Sequence, residues 1–157
     1  MSNEHTVKSY EEELRYLIDS VIKMGSLTES QLIDSMDAII KVDKDSIDKI
    51  IKSDDEINKF RSKIDTQIMT LLVKRAPMAI DLRETISSLK ISQDLERIGD
   101  LSKSNAKKVK PLPLDLPEEL LGNLKRLGEL VIKQLNDVLD SYAVSYTHLR
   151  AHETNLD

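Results

Sequence analysis

The run Asp94-Leu-Glu-Arg-Ile-Gly-Asp100 carries the sharpest chemistry in the chain. Glu96 and Asp100 stand four residues apart, so on a helix their carboxylates share one face, a turn from each other. Left bare, such a pair repels. A hard cation between them reverses the sign, because oxygen-rich clusters suit magnesium, manganese, calcium and non-haem iron. Two ligands do not complete a site, however, and the same spacing serves equally as a solvated helix face. Asp65 offers a mirrored candidate on an earlier segment, but Arg61 stands four residues before it, a cation where a second carboxylate would be wanted. The plain reading there is an intrahelical ion pair worth about 0.2–0.5 kcal/mol. A third group, Lys74, Arg75, Asp81 and Arg83, crowds the chain around Pro77. It forms a charged corner suited to docking a partner protein or to capping helix ends.

Other chemistries lack their residues. The three histidines, His5, His148 and His152, are terminal and form no dyad, and no Glu-x-x-His supplies the di-iron pattern of helical bundles. There is no cysteine, hence no disulfide, thiolate ligand or thiol nucleophile. Gly-rich phosphate loops are missing, and the serines and threonines have no nearby base. The expectation is a binding protein, not an enzyme.

Apolar periodicity sets the elements that must position these groups. Tyr10, Leu14, Leu17, Val21 and Met24 recur in steps of three and four, a helical face. The stripe resumes after a one-residue shift at Leu32, Met36 and Ile39, giving a first helix over about 7–41. Asp43 is placed as the N-cap of a second helix, which carries Ile47, Ile50, Ile57, Phe60, Ile64, Ile68 and Leu71. Pro77 ends that helix near Arg75 and opens a third. The third helix holds two competing registers, Leu82-Ile86-Leu89-Gln93-Glu96-Asp100 and Ile91-Leu95-Ile98. If the second register faces the core, Glu96 and Asp100 look outward. Lys110-Pro-Leu-Pro-Leu-Asp-Leu-Pro117 is a linker that no helix can span. A fourth helix then runs from about 118 to 142.

Long helices joined by short turns imply an all-α, antiparallel bundle. Composition agrees: 39% hydrophobic residues but only 3% aromatic, with four glycines and four prolines, is poor material for a strand-rich fold. The net charge of −5, with acids and bases interleaved, argues against a nucleic-acid module. No signal peptide and no stretch of about 20 apolar residues is visible, so a cytoplasmic location is expected.

An internal repeat links the first and fourth helices. Met24–Met36 aligns without gaps on Leu127–Leu139, matching Gly25, Leu27, Gln31, Leu32 and Asp34 to Gly128, Leu130, Gln134, Leu135 and Asp137. The repeat assigns residues 1–110 to one three-helix unit, 111–117 to a Pro-rich linker and 118–142 to the first helix of a second, incomplete unit. After Tyr142 the leucine rhythm stops. THLRAHET reads as translated adapter sequence, so residues 143–157 are set aside as a non-native tail.

LVKRAPMAIDLRETISSLKISQDLERIGDLSKSNAKKV resembles the most diagnostic segment of the PhoU family, supported by VIKMGSLTESQL and DSIDKIIKSDDEINKFRSKID. The likeness covers about Ser9 to Tyr142. It implies two tandem three-helix bundles, here cut short after the first, usually packed as a homodimer. The function it implies is negative regulation of phosphate uptake and phosphate-starvation signalling, through the ATPase subunit of the phosphate ABC transporter and a phosphate-sensing histidine kinase. Family members can carry multinuclear clusters of iron or another divalent metal such as zinc, magnesium or manganese, held by paired Glu/Asp-x-x-x-Asp motifs on neighbouring helices. Glu96 and Asp100 match one motif, and Asp65 matches the last position of its partner. Arg61 replaces the acid expected there. The alternative left open is a metal-binding helical bundle or a carboxylate-bridged metalloenzyme.

Overall fold

The structure is a computed structural model that describes residues 2–75 and 79–153, with side chains described over 8–74 and 82–147. The elements are α1 (Ser2–Lys41), α2 (Ile47–Arg75), α3 (Ala79–Lys108) and α4 (Glu118–Glu153). Helices α1, α2 and α3 pack against one another as an antiparallel bundle, and α4 lies along α1. Pro77 lies outside the described residues. Turn and coil occupy the stretch before Glu118, and the Leu121 amide donates to the Pro117 carbonyl at 3.1 Å to start α4.

Each bundle helix turns a heptad seam inward. On α2 it is Ile47, Ile50, Asp54, Ile57, Arg61, Ile64, Ile68 and Leu71, in alternating steps of three and four. On α1 the seam runs unbroken from Leu14 to Val42 through Thr28, Gln31, Ser35 and Ala38, all nearly fully buried. The expected one-residue shift does not occur. Polar side chains continue the stripe, while Gly25 and Met36 belong to a second face of α1, packed on α4.

Neither expected register of α3 is its seam. The buried line is Thr85, Ser88, Ser92, Leu95, Gly99, Ser102, Ala106 and Val109, running between the two apolar stripes. Small residues let α3 approach its neighbours closely while Ile, Leu and Met from both sides fill the gap. The buried hydroxyls are satisfied locally: Ser88, Ser92 and Ser102 donate to the carbonyls of Glu84, Leu89 and Ile98 at 2.8–2.9 Å.

The α1–α2 turn departs from a simple N-cap at Asp43. Val42 adopts a left-handed φ of 49°, and the Val42 and Asp43 amides donate back to Ile39 and Ala38, a Schellman closure with valine where glycine is usual. The Asp43 carboxylate does accept backbone N–H groups, from Asp45 and Ser46. Those belong to the turn before α2, and Ser46 is the residue flanking the helix, its carbonyl accepting from Ile50.

Helix α4 crosses α1 through a reciprocal contact. A Cβ on Gly25 would meet Leu139, and one on Gly128 would meet Met36. Gly25 and Met36 are the repeat partners of Gly128 and Leu139, so the antiparallel crossing has an approximate two-fold axis. The expected end of α4 at Tyr142 is not observed. Helix continues to Glu153, because the segment contains neither glycine nor proline to stop it, and Tyr146 packs partly buried on the core.

Tyr142 bridges α4 to α3, its hydroxyl 2.8 Å from Ser88 Oγ. Burial pushes its phenol up to about 12 from the usual 10, with Glu84 and Tyr146 adding and the Ser88 hydrogen bond opposing. The folded state therefore holds this proton more tightly than the unfolded chain. Its contribution, roughly 2–3 kcal/mol, is complete below pH 10 and lost as pH rises through about 12. Tyrosinate absorbance should show a late-titrating phenol that Ser88→Ala and Tyr142→Phe alter or remove; four tyrosines titrating together near 10 would contradict it.

Candidate functional site

The charged residues singled out in the sequence meet on the α2–α3 groove. Arg61 occupies a seam position of α2 that would ordinarily hold an apolar residue, and its side chain is only 13% exposed. It ion-pairs with Asp65 on its own helix, and its Nε lies 3.3 Å from Glu96 Oε2 across the groove. One guanidinium thus joins the two carboxylates that the sequence marked as ligand candidates. Asp100 is not part of this group. It accepts from Lys103 Nζ at 3.1 Å, and the same ammonium ion-pairs with Asp54 on α2.

Asp54 and Lys103 escaped the sequence reading. The Asp54 side chain is 2% exposed, so its charge can persist only with strong partners. Besides Lys103 it has the Gln31 amide of α1 at 3.4 Å and the Asn58 amide at 3.2 Å, and Gln31 also donates to the Ile50 carbonyl at 3.2 Å. A polar junction therefore ties all three bundle helices at one level. Gly99 makes the closeness possible: a Cβ there would stand 3.1 Å from Gln31 Oε1 and 3.2 Å from Ile57 Cδ1. Hydrogen bonding to Asp54 raises the Lys103 ammonium above its usual value, with a further bond to Asp100 adding and burial opposing.

The two ion pairs have a common logic. Asp54 and Arg61 are one heptad apart on α2, as are Glu96 and Lys103 on α3. The antiparallel helices set acid opposite base at one level and base opposite acid at the next. Sliding either helix by a heptad would oppose Asp54 to Glu96, or Arg61 to Lys103. Such alternation specifies register by penalising the wrong one.

These residues do not fit a cation cluster. Among the described residues no three carboxylate or imidazole side chains converge on one point. The centre of the Asp65–Glu96 pair already holds a positive charge, and Lys103 takes one carboxylate oxygen each of Asp54 and Asp100. Arg83, exposed on α3, borders a cleft of about 220 Å³ with Ile18, Glu84, Ser87, Tyr142 and Tyr146. The side chains of Arg75 and Asp81, expected beside it, lie outside the described residues.

Residues 21–109, which include all of α2 and α3 and this entire groove, match the PhoU domain. The chain belongs to the PhoU family. It is 40% identical over 143 residues to a phosphate-specific transport system accessory protein PhoU homolog of Caulobacter vibrioides, an alignment covering 90% of this chain and 62% of that protein. A PhoU homolog of Rhizobium meliloti is 38% identical over 144 residues, 91% of this chain and 61% of that one. The crystal structure of PhoU from Pseudomonas aeruginosa superposes with a TM-score of 0.77 at 32% identity, covering 85% of this chain and 65% of that chain. PhoU from Streptococcus pneumoniae gives 0.76, also at 32% identity, over 87% and 67%. The chain thus spans less than two thirds of the length of the Caulobacter and Rhizobium proteins. PhoU membership accounts for the all-helical fold. Among the described residues no helix is long and apolar enough to cross a membrane.

Proposed function

We propose that this PhoU-family chain is a cytoplasmic accessory regulator of phosphate transport, acting by protein binding and not by catalysis. In this reading it restrains phosphate uptake and phosphate-starvation signalling by contacting the ATPase subunit of the phosphate ABC transporter and a phosphate-sensing histidine kinase. The observation that carries it is the match of residues 21–109, together with relatives named as accessory proteins of the phosphate-specific transport system. The geometry supports a binding role. The polar side chains of the groove are committed to holding helices together, which disfavours a carboxylate-bridged metalloenzyme. The charged corner of Arg75, Asp81 and Arg83 is assigned to partner docking.

The chain also associates with itself in this reading, through the apolar face of α4. By the repeat, Leu120, Leu127, Val131 and Val138 correspond to Leu17, Met24, Thr28 and Ser35, which α2 and α3 cover completely on α1. On α4 the same positions are 40–58% exposed.

The test is retention of the purified ATPase subunit and kinase on the immobilised chain, with and without inorganic phosphate. Phosphate-dependent retention of at least one partner is expected, weakened roughly tenfold by Arg83→Glu, as for a central interface arginine. Absence of retention of both proteins under either condition would refute the reading.

A further inference from the structure

The α2–α3 groove gathers four carboxylates, Asp54, Asp65, Glu96 and Asp100, and two cations, Arg61 and Lys103. We propose that Arg61 and Lys103 are the permanent counter-ions of this groove, taking the place of a bound metal, so that the bundle of this chain is independent of metal ions.

Three independent features point this way. First, Arg61 sits within the heptad seam of α2, between Ile57 and Ile64, both fully buried. A largely buried guanidinium is costly unless its charge is paired. Here Asp65 accepts a hydrogen bond from it, and Glu96 supplies a second ion pair at 3.3 Å from Nε, which itself makes no hydrogen bond. Second, the guanidinium does what a bridging cation would do. It neutralises one carboxylate from each helix and pins α2 to α3 at that level. Arginine suits this task because its planar fork can address two carboxylates at once and never loses its charge. Third, Lys103 repeats the arrangement one heptad away with the polarity of the helices reversed. Two cations set among four carboxylates leave neither level with the concentrated negative charge that draws a divalent ion. Adding one beside Arg61 would place like charges within a few ångströms, a repulsion that partial burial strengthens.

The experiment is thermal unfolding of the purified full chain in EDTA, then with Mn²⁺, Zn²⁺ or Fe²⁺ alone, alongside elemental analysis of the protein as isolated. The wild-type chain should hold less than stoichiometric metal and show one Tm in all conditions. A metal that binds only the folded state must raise Tm, by roughly 5–10 °C at about a hundredfold above its Kd for a chain of this size. A rise of that order in the wild type, or a stoichiometric ion released by Asp65→Asn with Glu96→Gln, overturns the proposal. Arg61→Glu removes the resident cation and leaves three carboxylates at one level. This variant should melt below wild type in EDTA and recover on adding Mn²⁺. If it unfolds in EDTA, Arg61→Gln is measured in its place, with the same recovery expected in smaller degree. Variants as indifferent to metal as the wild type would show that Arg61 is not what excludes the ion, and would also overturn the proposal. Loss of transporter or kinase binding plays no part in this readout, so it stands or falls apart from the proposed function.

Discussion

Lys103→Ala should lower the unfolding free energy by roughly 3 kcal/mol, the low end of what leaving a buried charge unpaired costs when the group removed is itself partly exposed. For a chain of this size that is a fall in Tm of roughly 10 °C. The cost arises at Asp54, whose carboxylate would be left among Ile50, Ile57 and Gln31 with two amide donors and no cation. Asp54→Asn combined with Lys103→Met should restore most of the loss, since removing both charges leaves nothing unpaired. Single and double variants that melt alike would show that the two side chains are not coupled. The pH dependence has a definite sign. The folded chain holds Lys103 above its ordinary 10.5, so the contribution is complete below that pH and disappears as pH rises through the higher folded value. Above about 10.5, wild-type stability should therefore fall toward that of Lys103→Ala.

Removing the apolar face of α4 should have the second large effect, on association and not on folding. Leu127→Gln with Val131→Gln replaces two exposed residues by good helix formers, so helicity and Tm should stay near wild type. The wild-type chain should elute as a dimer whose dissociation shows on dilution, because a contiguous exposed apolar stripe seeks cover. Burying each half-exposed side chain is worth on the order of 1 kcal/mol. Four such side chains across two copies make the double variant's Kd weaker by about a thousandfold. Sedimentation of the wild type as a monomer at every concentration would end the assignment of α4 as a self-association face.

Much of this architecture is legible in the residues. The four helices, the break before α2, the Pro-rich linker and the pairing of Arg61 with Asp65 all follow from local rules, because apolar steps, proline and an i, i+4 charge pair act within one turn. The seams of α1 and α3 do not follow. A reading weighted toward leucine and isoleucine looks past Thr28, Gln31, Ser88, Ser92 and Gly99, yet small and hydrogen-bonded residues are what close approach between helices requires. The Asp54–Lys103 pair was hidden for another reason. Its partners are 49 positions apart, and only the register of α2 against α3 brings them together. The seven-residue spacings of Asp54 to Arg61 and of Glu96 to Lys103 were the available clue. The extension of α4 past Tyr142 is not legible either, because loss of apolar rhythm removes a reason to pack without removing helical propensity.

The crossing of α1 and α4 also carries a statement about ancestry. Gly25 and Met36 are eleven positions apart, as are Gly128 and Leu139, and each glycine receives the other helix's bulky residue. A lone progenitor bearing one glycine and one such residue could have bound its own copy through both contacts at once. Fusion of two progenitors in a single polypeptide would turn that encounter into an intramolecular one, at an effective concentration in the millimolar range for a short tether. Drift could then make the two halves differ, so that methionine in one now stands where leucine stands in the other. Enlarging either glycine strains one end of the crossing, whereas any change in helix separation is felt at both, so accepted changes at these four positions should come in couples.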